Sequence, residues 1–299
     1  MRIATTQFHA TMNRSLELNQ TMVSRLTQQM ATGKSVMVPS DDPIAHVRIS
    51  RLTREEAIIE QYRENIDAVK IRLSKNETYL SAMVGDLGQA HDLLVWASDG
   101  GNTPDDLKAM VNSLEALRES LMYTANTRDQ EGKYLFSGTL TNTAPIAFDG
   151  GVDYSYAGNA GEQKVVVGNG ISQPVNVTVE GVDVLLDKLT ETINALKVTT
   201  TDSSVDPLKT LIADTMVLAE STQNSLSGKV AKLGGAQNIL TTLGDNHANV
   251  SLSNKTAIHD LAALDYGVAA SELAGYNMAL QATYQSYAKI SGLSLFNVL

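Results

Sequence analysis

YRENIDAVKIRLSKNETYLSAMVGDLGQAHDLL, residues 62–94, sets Tyr62, Ile66, Val69, Leu73, Asn76, Leu80, Met83, Leu87, Ala90 and Leu94 at alternating steps of four and three. That alternation holds side chains on one stripe of an α-helix and repeats every seven residues, the pattern of a coiled-coil seam. Unbroken from 62 to 94, it predicts about 50 Å of continuous helix. A chain built around such an element is mainly helical.

The same stepping appears on the N-terminal side through Met12, Leu16, Asn19, Val23, Leu26 and Met30, and predicts a helix that stops near Gly33. VPSDDPIAH at 38–46 carries the next helix start, with Asp42 as N-cap and Pro43 at the first helical position. Asp41 and Asp42 are therefore read as capping carboxylates and not as a catalytic pair. Beyond the turn SDGGN, the stretch TPDDLKAMVNSLEALRESL opens with Thr103, Pro104 and Asp106, a capping arrangement for a third helix.

Residues 137–182 differ, with eight glycines, one leucine and short β-branched runs such as KVVV and VNVTV. They predict a small strand-and-turn insertion. Helical patterning returns in DVLLDKLTETINALK and breaks at TTTDSSVD. After Pro207 it resumes, along Ile212, Met216, Ala219, Gln223, Leu226, Val230, Leu233, Gln237 and Leu240. A last helix is expected to carry Ile258, Leu261 and Val268, skip, and continue through Leu273, Tyr276, Leu280, Thr283, Tyr287 and Ile290. Beyond residue 266 only Glu272 and Lys289 are charged, so this helix has more apolar surface than one partner helix covers.

These periods define the expected fold class: mainly α, a long antiparallel helical bundle or coiled-coil rod with a small β-rich insertion. The expected division is a terminal helical assembly domain (1–42 with 255–299), a helical rod domain (43–137 with 183–254) and a β-rich outward insertion (138–182).

Composition narrows the function classes. The 299 residues are 43% hydrophobic and 19% charged, which is globular, and the net charge of -10 argues against nucleic acid or an anionic membrane as partner. Cysteine is absent, which removes disulfide frameworks, cysteine metal sites and thiol nucleophiles. The N-terminus lacks the apolar core of a secretory signal, and no apolar run approaches a membrane span.

No carrier of enzyme chemistry is visible. His9, His46, His91, His247 and His259 lack metal-ligand spacing, and neither a nucleophile elbow nor a phosphate-binding glycine loop is present. No catalytic, cofactor or metal-binding residue is assigned. Gly33 and Gly132 are read as ending or interrupting helices, and Gly150 with Gly151 as a turn. Tyr276, Tyr284 and Tyr287 are read as packing residues of a helix, not a ligand-stacking row.

The opening MRIATTQF, the run QQMATGKSVMVPSDDPIAHVRISRL at 28–52, GKYLFSG at 132–138 and the terminal LSLFNVL together resemble the hook-associated protein 3 family, flagellin-like proteins of the flagellar hook–filament junction. The resemblance covers roughly 1–138 and 183–299. It implies a structural subunit of the bacterial flagellum, extracellular, and exported by the flagellar type III system without a cleaved signal peptide. The implied partners are neighbouring copies in a ring, the other hook-associated junction protein, flagellin, and an export chaperone on the C-terminal helix. It also implies that the terminal helices form the assembly interface, through Met12, Leu16, Asn19, Val23, Leu26, Met30, Leu273, Tyr276, Leu280, Tyr284, Tyr287, Ile290, Leu293, Leu295 and Phe296. The alternatives are a small flagellin-type filament subunit or, from another class, a secreted adhesin or enzyme with its site in the β-rich insertion.

Overall fold

A computed structural model describes residues 2–150 and 153–296, with side chains over 6–150 and 153–289. Six helices run in the order α1 (Arg2–Thr32), α2 (Pro43–Ala97), α3 (Pro104–Ala125), α4 (Val182–Val198), α5 (Leu208–Ala262) and α6 (Tyr266–Phe296). Between α3 and α4 lie strands β1 (Ile146–Phe148), β2 (Tyr154–Tyr156), β3 (Lys164–Gly168) and β4 (Ile171–Pro174), paired as two antiparallel hairpins, β1–β2 and β3–β4. The fold is mainly α with a small β insertion.

Local chemistry sets the helix limits. Asp42 caps α2, its Oδ1 accepting the Ile44 and Ala45 N–H groups at 2.9 Å each, and Pro43 opens the helix without losing a donor. Thr103 and Asp106 form a reciprocal capping box at the start of α3. α1 ends where Gly33 takes a left-handed φ of 68°. Gly132 also has a positive φ, but it lies in a turn well past α3 and terminates no helix. The Gly150–Gly151 turn extends past the described residues.

One expectation is corrected. The single last helix divides into α5 and α6 at residues 263–265. The break is held from elsewhere in the chain: Ser35 N–H donates to the Ala262 carbonyl at 2.7 Å, and Leu264 N–H to the Gly33 carbonyl at 3.0 Å. Asp265 Oδ1 then accepts the Gly267 and Val268 N–H groups and restarts the helix as α6.

The chain forms two compact units, a terminal one (1–58 with 249–299) and a central one (59–248). Within the central unit the seam of the sequence is the core. Ile66, Val69, Leu73, Leu80, Met83, Leu87, Ala90 and Leu94 of α2 are buried, along with Ile212, Ala219, Leu226, Leu233 and Leu240 of α5. Gln223 reaching the Val84 carbonyl and Gln237 reaching Glu77 fix these helices as antiparallel. α3 and α4 pack alongside, tied by Lys197–Glu115 at 2.6 Å and by Arg118 donating to Thr190. Each fully buried leucine is worth about 2 kcal/mol.

The β-rich segment lies in this central unit and shares its core, because Ile146, Val167, Val175 and Val179 are all buried in the same cluster. Polar bonds tie it down as well. Asn65 and His247 meet the carbonyls of Val166 and Val167, Lys229 donates to that of Thr178, and Asp183 and Asp187 accept the Tyr156 and Tyr154 N–H groups. Asn76, fully buried on the α2 seam, donates to the Val175 carbonyl at 3.3 Å and leaves its own Oδ1 unpartnered.

Candidate assembly surfaces

Most of the expected interface falls in the terminal unit on α1 and α6, and these two helices pack on each other. Leu26 is buried, while Met12, Leu16, Asn19, Val23 and Met30 are half-buried along the same stripe. On α6, Leu273, Tyr276, Leu280 and Tyr287 are half-buried and Tyr284 is 55% exposed. Tyr287 meets the His9 ring edge-on at 5.5 Å, and the Tyr266 hydroxyl donates to the Met30 carbonyl at 3.2 Å. The side chains of Ile290, Leu293, Leu295 and Phe296 lie outside the described residues.

The stripe is therefore half covered. Among the described residues of the terminal unit, the buried apolar side chains are Leu26, Ala45, Ala262 and Ala269, three of them alanines. Phe8, Leu18, Met278 and Tyr284 stay exposed. A two-helix contact covers one side of each helix and leaves the flanks wet. Half-covered apolar stripes of this kind are candidates for an interaction site.

The link between α1 and α2 is stiffened by a residue that sequence reading assigned to capping alone. Asp41 accepts the Met37 and Val38 N–H groups at 2.9 and 3.2 Å and pairs with Arg25 Nη2 at 2.8 Å. The Met37 N–H, helped by that of Val38 and by the Arg25 charge, holds the Asp41 carboxyl below the usual carboxylate range against the effect of burial. An Asp three or four residues after amides in a tight turn was the available signal.

No group of three or more His, Asp or Glu side chains among the described residues is arranged to hold a metal ion. No helix among them is long and apolar enough to cross a membrane.

Comparison with known proteins bears out the resemblance carried by the sequence motifs. Residues 3–141 match the bacterial flagellin N-terminal helical region. The flagellar hook-associated protein 3 of Escherichia coli strain K12 aligns end to end, 29% identical over 318 aligned positions that take in 100% of this chain and 99% of the relative. The chain is similar over its whole length to flagellar hook-associated protein 3. A solved hook-associated protein from Vibrio parahaemolyticus superposes with a TM-score of 0.69 and 28% identity, over 75% of this chain and 100% of that one. The flagellar junction protein of Legionella pneumophila shares the fold, with a TM-score of 0.59 at 16% identity over 71% of this chain and 100% of its own. That similarity along the full length, with the flagellin N-terminal match, makes the chain a protein of the flagellum. Its half-covered helices are the surface on which to look for assembly contacts.

Proposed function

We infer that this chain is a structural subunit joining the hook and the filament of the bacterial flagellum. The observation that carries the reading is the paired α1 and α6, whose apolar stripes run the length of both helices yet bury so little within the chain. Neighbouring copies in a ring complete those stripes, with Leu16, Val23, Leu273, Leu280 and Tyr287 among the contact residues. The other hook-associated junction protein lies on one side and flagellin on the other. End-to-end relatives named for the hook, and not for the filament, favour a junction subunit over a small flagellin.

The same open surface accounts for the remaining partner. A chain exported through the flagellar type III system to an extracellular position needs its apolar C-terminal helix shielded beforehand, and we assign residues 260–299 as the chaperone-binding segment.

Leu280→Asp with Tyr287→Asp tests the reading. Burying two unpaired charges in the assembled surface costs several kcal/mol each or forces protonation, so incorporation and motility are expected to be lost. Melting of the isolated chain should change little, because both side chains are only half-buried there. Retained motility with a collapsed melting temperature would make the stripe a private core.

A further inference from the structure

Charge is divided unevenly between the two units. The terminal unit carries nine Lys and Arg against eight Asp and Glu, and the central unit fourteen against twenty-five. The chain's acidity therefore resides in the central unit alone. Inside the terminal unit, the first four turns of α2 are two-faced. Ala45, Ile49, Leu52 and Glu56 turn inward, and Glu56 accepts from Ser251 and pairs with Lys255 at 3.0 Å. The outward face holds Ile44, Val47 and Ile58, 69%, 67% and 46% exposed, interleaved with exposed Arg48, Arg51 and Arg54. Glu55 is the one acid on that face, and none of the three arginines forms an ion pair among the described residues.

We propose that this basic, apolar face of α2 docks on the acidic α5 surface of the central unit in a second copy of this chain, at Asp214, Val217 and Glu220. These three are exposed, Val217 at 68%, and repeat at the same three-residue spacing as the arginines. Asp214 and Glu220 are therefore about 9 Å apart along the axis, the separation of Arg48 and Arg54, and two helices laid together can match two guanidinium–carboxylate pairs with Val217 between them against the apolar side chains of α2. Lys188 on α4, the cation beside Asp214, is engaged with Glu191 at 2.8 Å and leaves the carboxylates as the dominant charge. Arginine suits such a contact because its weakly hydrated, planar head keeps its fork geometry when partly desolvated. The inference rests on the reading that copies of this chain pack together, and it adds a second contact face apart from α1 and α6.

The chain has no cysteine, so single thiols report the contact directly. A copy with Val47→Cys and a differently tagged copy with Val217→Cys are mixed at high concentration and oxidised. The expected result is a disulfide heterodimer well above the yield given by a Tyr123→Cys partner, another exposed position. Adding Arg48→Glu, Arg51→Glu and Arg54→Glu to the first copy should cut the yield about tenfold, and Asp214→Lys with Glu220→Lys in the second should restore it. These positions are exposed, and an unchanged helical circular dichroism signal confirms folding. Yields equal to the Tyr123→Cys control, no loss on charge reversal, or an intramolecular disulfide in a dilute Val47→Cys, Val217→Cys chain would each overturn the proposal. If the triple-Glu copy fails to cross-link yet still enters the flagellum, this face is wrong and the junction reading stands. Motility retained in Leu280→Asp, Tyr287→Asp strikes the junction reading and leaves this face to its own test.

Discussion

α1 and α2 follow the same four-three rule, yet α2 from Ile66 to Leu94 is sealed while α1 from Met12 to Met30 is half open. Leu73, Leu80 and Leu94 have no exposed surface; Leu26, the most buried apolar residue of α1, retains 7%, and Leu18 on its flank retains 54%. In the central unit the α2 stripe meets α3, α4, α5 and the insertion, whose buried side chains form one cluster with it. In the terminal unit the α1 stripe meets mainly α6. A heptad period specifies where a stripe runs, and the number of neighbours decides whether it becomes a core or an interface.

The largest test of this contrast compares leucines. Leu80→Ala should cost about 2–5 kcal/mol by the cavity it leaves, measured by urea unfolding of the isolated chain. Leu16→Ala should cost under about 1 kcal/mol in the same assay. Equal losses would erase the distinction between the units. Next, Asn76→Ala should destabilise by about 1–3 kcal/mol, because the Val175 carbonyl loses its buried donor. Asn76 marks the point where the insertion is built into the central core, and an unchanged midpoint would detach it.

Gly33→Ala should cost about 1–2 kcal/mol through the left-handed backbone, read in the terminal unit by faster hydrogen exchange at Ser35 and Leu264. The added Cβ would also sit 3.1 Å from the Tyr266 hydroxyl. The smallest effect is electrostatic and has opposite sign in the two units. Asp41 has its carboxyl lowered, so its contribution is present above the ordinary carboxylate value and is lost as pH falls through the lower folded value. Burial raises Asp187, with the Tyr154 N–H opposing and the nearby Asp153, Asp183 and Asp149 adding to the rise. Its contribution is complete below the unfolded value and is lost as pH rises through the folded one. Carboxyl carbon titration by NMR should place the Asp41 midpoint below the ordinary range and that of Asp187 above it.

How far the sequence could be read depends on whether the cause of each feature was local. The α2 seam, the Asp42 cap and the Thr103–Asp106 box were legible because a few adjacent residues determine each. The break at 263–265 was not, because its partners are the Gly33 carbonyl and the Ser35 amide, more than two hundred residues away in sequence. β-branched runs signalled strands in the insertion, but Val167 and Val175 gave no sign that helices, and not water, cover one side of them. On α1 and α6 the stripe itself was readable from Leu16 to Tyr287, but its degree of cover was not. The outward face of α2 leaves no seam in the sequence because arginines interrupt its apolar spacing.

The pairing of residues 33–35 with 262–264 has a mechanical consequence. Both links of the terminal unit, from α1 to α2 and from α5 to α6, are laced together by two backbone hydrogen bonds in a short antiparallel bridge. A lone link would let its helix swivel freely about one strand. Laced together, the end of α1 and the start of α6 are held side by side, so a displacement at one link is passed to the other.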